Sequence, residues 1–172
     1  MEDVIAFTKS KLPYGWMGNM SPYKVTYLGV EYLTSEALFQ CLRFSDVGIQ
    51  ALIRREKSPM GAKLVTKRED IRQLMTVEPL SHEDRDNMRL CIALKLLQHP
   101  DLQEELLATG ERPIYEDVTA RGAGGSNLFW GALFAHGEWF GKNVLGQIWM
   151  ENRTLLGDEN GYEHLKEFEK FS

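Results

Sequence analysis

Three stretches of the chain carry groups that could do chemistry. Glu36 falls two residues after Thr34, which has the chemistry of an N-cap, so it belongs to the first turn of a helix, where the dipole favours an ionised carboxylate. Such a group either acts on a substrate or merely decorates the turn. Residues 54–72, RREKSPMGAKLVTKREDIR, hold more Lys and Arg than acids. They read as a solvated helical face or as the local charge that lets an acidic protein accept a nucleotide. Residues 126–143, SNLFWGALFAHGEWFGKN, gather five aromatic rings and three glycines around a single carboxylate, Glu138. This is either core or a wall for something flat. The RGAGGS before it lacks the GK[ST] of a phosphate loop and follows no strong strand, so a surface loop competes with a phosphate cradle.

Other chemistries find no footing. There is no GxSxG elbow, and neither Cys41 nor Cys91 has a histidine nearby in sequence. Both cysteines lie in apolar helical patterns, as buried, reduced thiols of a cytoplasmic protein do. His82, His99, His136 and His164 are scattered without zinc-ligand spacing, so neither a metal nor a cofactor is expected. A net charge of −5 and a pI near 5.4 argue against wrapping duplex nucleic acid, but not against a pocket for one nucleotide. No apolar run nears the roughly 20 residues of a membrane span. The start, MEDVIAFTK, lacks a basic region followed by a hydrophobic core and does not read as a secretory signal. With 172 residues, 43% hydrophobic and 26% charged, one soluble globular domain is expected.

The elements that position these groups are mostly helical. Val4 to Phe7 reads as a short strand, followed by the Pro/Gly-rich loop LPYGWMGNMSP. YKVTYLGVEYLT reads as a hairpin turning at Leu28-Gly29. SEALFQCLRF is a helix with apolar residues at 37, 38, 41, 42 and 44, and a second helix covers about 46 to 57. Ser58-Pro59 opens a third, through Lys67. SHEDRDNMRLCIALKLLQ is capped by Ser81, has acids in its first turn and carries a stripe of Met88, Cys91, Ile92 and Leu96. Pro100 ends it, and DLQEELLAT forms another helix closed by Gly110. Residues 112–125 look irregular. A last long helix begins near Lys142, with Leu145, Ile148, Trp149, Asn152 and Leu156 on one face. The expected fold is mainly α, a compact helical domain over residues 1–157 with a small N-terminal β-hairpin or sheet. Residues 158–172 form a short polar tail.

Taken in order, GWMGNMSP, the hairpin, TSEALFQCLRF, EKSPMGAKLV, FWG and GKNVLGQIWMENR closely resemble the NADAR (YbiA-like) family, linked to NAD and ADP-ribose. The resemblance covers roughly residues 5 to 156. It implies hydrolysis of the N-glycosidic bond of a small phosphorylated riboside, such as an early riboflavin intermediate. The alternatives it implies are removal of ADP-ribose from a guanine base in nucleic acid, or, in another class, an ADP-ribose-binding module without turnover. By the resemblance, Glu36 is the family's acidic position and Gln40 its neighbour one turn on. Asn19 matches the loop asparagine, Arg43 the arginine after FQ, Lys63 the lysine of SPMGAK, and Trp130-Gly131 the tryptophan-glycine pair. Gly141, Asn143 and Gly146 match the start of the last helix, and Arg153 its closing arginine.

The chemistry agrees with that transfer. Breaking a ribosyl C–N bond builds positive charge that a nearby carboxylate stabilises. Arg43 and Lys63 would meet phosphates and Trp130 a flat leaving group. The sequence departs from the family at Asn127, where an aspartate often precedes the tryptophan by three residues, and in a longer segment after Glu116. Either Glu116 or Asp117 supplies the missing charge, or Glu36 acts alone, or catalysis is weakened. Glu116 is taken as the second catalytic candidate, and Asn127 as a substrate contact with Asn19, Gln40 and Asn143.

Overall fold

The computed structural model describes residues 3–172. Helices dominate, as expected, and their order follows the apolar periodicity closely. The chain divides into two units, residues 1–18 with 99–167 and residues 19–98 with 168–172.

In the unit holding residues 19–98, the strands are β2 (Val25–Tyr27) and β3 (Val30–Tyr32), an antiparallel hairpin pairing Val25 with Tyr32. Leu28 and Gly29 turn it with φ of 49° and 75°, the two left-handed residues of a type I′ turn. Helices α1 (Ser35–Leu42), α2 (Val47–Arg55), α3 (Pro59–Val65), α4 (Glu69–Arg72) and α5 (His82–Gln98) follow. The caps read from sequence form: Thr34 Oγ1 accepts from Ala37 N at 3.2 Å, and Ser58 Oγ accepts from Gly61 N at 3.0 Å. Residues 35–41 of α1 are all buried, with α2, α3, α5 and the hairpin around them. At the end of α5, the Gln98 side chain takes the place of a strand partner, accepting from Thr26 N at 2.7 Å and donating to Thr26 O at 2.8 Å.

The other unit contains β1 (Ile5–Phe7), α6 (Pro100–Ala108), β4 (Ile114–Glu116), α7 (Asn127–Trp130), the β5 (Leu133–Ala135) and β6 (Glu138–Phe140) hairpin, α8 (Val144–Gly157) and α9 (Glu159–Lys166). Its centre is Trp149, fully buried, edge-on to Trp16 at 5.3 Å and donating its indole N–H to Met17 O at 3.0 Å. Helix α9 packs on α8 and buries Leu165.

The mainly α fold class stands, and three details differ from the sequence reading. Among the described residues the β structure is three two-stranded ladders, only one of which lies wholly in the N-terminal third. Residues 112–125 are not wholly irregular either, because β4 pairs in parallel with β1, Ile5 beside Ile114. Three residues are too few for an alternating pattern, and it is the distant partner that makes them a strand. The β5–β6 hairpin, for which no element was expected, turns at His136-Gly137 with φ of 52° and 85°. Cys41 and Cys91 are buried free thiols, and burial pushes the Cys41 thiol up to about 12.

Lys95, fully buried on α5, donates to Ser21 Oγ at 2.7 Å, and burial lowers its pKa to about 7 from the ordinary 10.5. The unfolded chain holds this proton to pH 10.5, the folded chain only to about 7. Between those values the unfolded state binds more protons, so stability rises with pH. Lys95→Met should flatten that rise between pH 7 and 10, measured by chemical denaturation across the range. An unchanged slope would show that Lys95 does not titrate there.

Candidate active site

The expected site residues fall into two groups, one in each unit. In residues 19–98 the centre is Glu36, 7% exposed despite its charge. Its backbone N–H donates to Asn19 O at 3.1 Å, and Ser35 Oγ donates to the Asn19 side-chain oxygen at 3.1 Å. Asn19 Nδ2 in turn donates to the Met88 sulfur at 3.0 Å. The loop asparagine therefore fixes the first turn of α1, and with it the backbone of Glu36.

The carboxylate itself is held by Gln40, one turn on, whose Nε2 donates to Glu36 Oε1 at 2.8 Å. Gln40 Oε1 faces Thr66 Oγ1 at 3.0 Å and Arg43 Nη1 at 3.5 Å. Arg43 grips Asp84 in a bidentate pair, Nε to Oδ1 and Nη2 to Oδ2, both at 2.8 Å. The Asp84 side chain is fully buried and also accepts from Leu80 N at 2.8 Å. Lys63 stands half-buried on α3, three residues before Thr66, and forms no ion pair among the described residues. The basic stretch around it is largely a solvated face: Arg54, Arg55, Lys57, Lys67, Arg68 and Arg72 are exposed.

In the other unit, Asn143 is buried and its amide bridges β4, donating to Ile114 O at 2.8 Å and accepting from Glu116 N at 3.0 Å. That satisfies the backbone of a strand against the start of α8. Gly146 allows the approach, since a Cβ there would run into Ile114 O and the Asn143 amide. Gly131 does the same for the WG pair: a Cβ would lie 2.5 Å from Glu116 O. Trp130 is half-buried at the end of α7, edge-on to Phe129 at 4.9 Å. Arg153 donates from Nη1 to Thr109 Oγ1 and Arg112 O, both at 2.8 Å. Trp139 of the β5–β6 hairpin lies parallel on Tyr115 of β4 at 4.5 Å.

Glu116 and Asn127 hold the two ends of one loop. The Glu116 carboxylate pairs with Arg121 at 2.7 Å, while Asn127 Nδ2 donates to Gly122 O at 2.9 Å and Arg121 O at 3.4 Å. An aspartate at 127 would turn a carboxylate oxygen toward carbonyl oxygens, which explains why the amide suits this longer segment.

The NADAR domain profile matches residues 6–157, nearly the whole chain. The chain belongs to the NADAR family. It is 30% identical to an N-glycosidase of Nostoc punctiforme over 166 residues, covering 92% of this chain and 99% of the relative. It is 28% identical to a riboflavin biosynthesis protein of Vibrio vulnificus over 94% of its own length, but spans only 41% of that protein. The solution structure of E. coli YbiA is similar at a TM-score of 0.67, with 30% identity, 93% of this chain and 89% of YbiA covered. The mainly α fold expected from the sequence is thus the fold of the family. Among the described residues no helix is long and apolar enough to cross a membrane.

Sequence reasoning missed Thr66 and Asp84, the two residues that complete the environment of Gln40 and Arg43. Asp84 read as one of several acids in the first turn of α5, and no local pattern reveals a partner 41 residues away. Asn127→Asp should loosen the loop it closes. Losing one hydrogen bond against a facing carbonyl costs about 1–3 kcal/mol, so amide exchange across residues 121–127 should quicken by about tenfold or more. Exchange rates at the parental level would show that the Asn127 amide does not hold the loop.

Proposed function

We propose that the chain is a hydrolase of N-glycosidic bonds, acting through Glu36 on a small phosphorylated riboside in the cytoplasm. The observation that carries this reading is the state of the Glu36 carboxylate. It is buried, one oxygen is held by Gln40, and among the described residues the other accepts no hydrogen bond. Such a group opposes the positive charge that grows on the anomeric carbon and ring oxygen as the C–N bond breaks. Its second oxygen suits a water molecule: the water oxygen bonds to the anomeric carbon while its proton passes to the carboxylate and then to the departing nitrogen. The names of the Nostoc and Vibrio relatives support this reaction class and a riboflavin-related riboside as substrate.

Lys63 is the proposed phosphate ligand, being half-buried and without an ion pair among the described residues, whereas the Arg43 fork is engaged by Asp84. Glu116 is engaged with Arg121, so Glu36 is proposed as the sole catalytic carboxylate. Two buried free thiols fit a reducing compartment.

The test is a panel of phosphoribosides, NAD, ADP-ribose and ADP-ribosylated DNA, with released base and sugar read by mass spectrometry. On the substrate so found, Glu36→Gln should lower kcat by about 10²–10⁴ while binding persists, as for loss of a general base or charge stabiliser. Turnover at the parental rate would refute the assignment.

Lys63→Ala should raise KM for the phosphorylated riboside by about tenfold or more, the size of a lost charge-assisted hydrogen bond, and hardly alter the dephosphorylated form. Equal losses on both would assign Lys63 to the fold or the sugar.

A further inference from the structure

We propose that Asp84, Arg43 and Thr66 are positioning residues for Glu36, acting through the side-chain amide of Gln40. The inference rests on the functional reading of Glu36 and assigns Arg43 a different part from the phosphate ligand suggested by family resemblance.

A carboxamide presents a donor at one end and an acceptor at the other, and reversing it exchanges the two. Gln40 must present its donor to Glu36 for the carboxylate to be held. The other end decides whether it does. Thr66 Oγ1 lies 3.0 Å from Gln40 Oε1, but its hydroxyl also lies 2.9 Å from Lys63 O, and one proton serves both. A hydroxyl can also accept, so Thr66 alone would tolerate a reversed amide. Arg43 would not, because a guanidinium only donates. With Nη1 of Arg43 3.5 Å from Gln40 Oε1, reversal would set an NH₂ against a cation and a carbonyl oxygen against the Glu36 carboxylate. Both contacts would become repulsive together.

Arg43 can impose this only if its own plane is fixed. Asp84 fixes it by the two parallel 2.8 Å bonds, and the guanidinium also lies 4.5 Å over the Phe39 ring. Asp84 is anchored in turn by Leu80 N and by its place in the first turn of α5, where its N–H donates to Ser81 Oγ at 3.2 Å. The Arg43 side chain is 12% exposed and that of Asp84 0%, so solvent does little to weaken the pair. The chain of contacts thus runs from Asp84 through Arg43 and Gln40 to one oxygen of Glu36, and it leaves the other oxygen to the substrate side of the reaction.

The experiment is a double-mutant cycle on kcat and KM with the substrate found by the panel, using Arg43→Lys and Gln40→Leu. Misplacing a reacting group by about 1 Å costs up to about 10²-fold, so each single variant should lose about 10- to 100-fold in kcat with KM nearly unchanged. The double variant should be no worse than Gln40→Leu, because the route is already cut. Effects that multiply independently would overturn the proposal. So would a raised KM for phosphorylated substrate with kcat intact, which would make Arg43 a direct phosphate ligand. If Arg43→Lys does not fold, Thr66→Val carries the same test: its kcat loss should vanish in the Gln40→Leu background, and an unchanged kcat would count against the relay. The two levels of inference fail differently. A fully active Glu36→Gln removes the functional reading itself, whereas an inactive Glu36→Gln with independent Arg43 and Gln40 effects removes only the positioning role.

Discussion

A carboxylate at 7% exposure has to be compensated, and much of the structure around α1 follows from that one requirement. Taking Glu36 out of water is tolerable because it lies in the first turn of a helix, where unpaired N–H groups and the dipole favour negative charge. One further donor, the Gln40 amide, comes from the next turn of the same helix. Each compensating group then needs its own partner: Gln40 needs donors at its far end, Arg43 needs Asp84, and Asp84 needs the Leu80 amide. Burial of one charge thereby recruits α3 through Thr66 and α5 through Asp84, so the helices around α1 are held by polar contacts as well as by apolar surface.

The other unit meets a different constraint, that of closing very short strands. A three-residue strand cannot satisfy its own edges. The Asn143 side chain supplies the missing partners for β4, and the Gln98 side chain does the equivalent for β2 in its own unit. This is why an asparagine precedes α8 with a left-handed backbone, φ 52°, and why glycine stands three residues later. Residues that the family resemblance marks as a signature here have an identifiable mechanical part: Gly131 and Gly146 admit the backbone of β4, and Arg153 gathers Thr109 and Arg112.

The sequence by itself determined most of the helices. Thr34, Ser58 and Ser81 cap where their side chains predict, Leu28-Gly29 turns the hairpin, and Gly110 closes α6 with φ 62°. These depend on contacts within three or four residues, which local residue types dictate. Family motifs also singled out Glu36, Gln40 and Arg43, which the structure brings together on and just after α1. What only the tertiary structure decided were relations across long separations. Strand β4 exists because β1 lies beside it, and the partners of Arg43 and Gln40 lie 41 and 26 residues away. The roles of Asn127 and Asn143 were equally hidden, since an amide can face a ligand or a backbone with the same chemistry. Which one it faces depends on which groups the fold leaves unpaired around it, and sequence spacing carries no record of that.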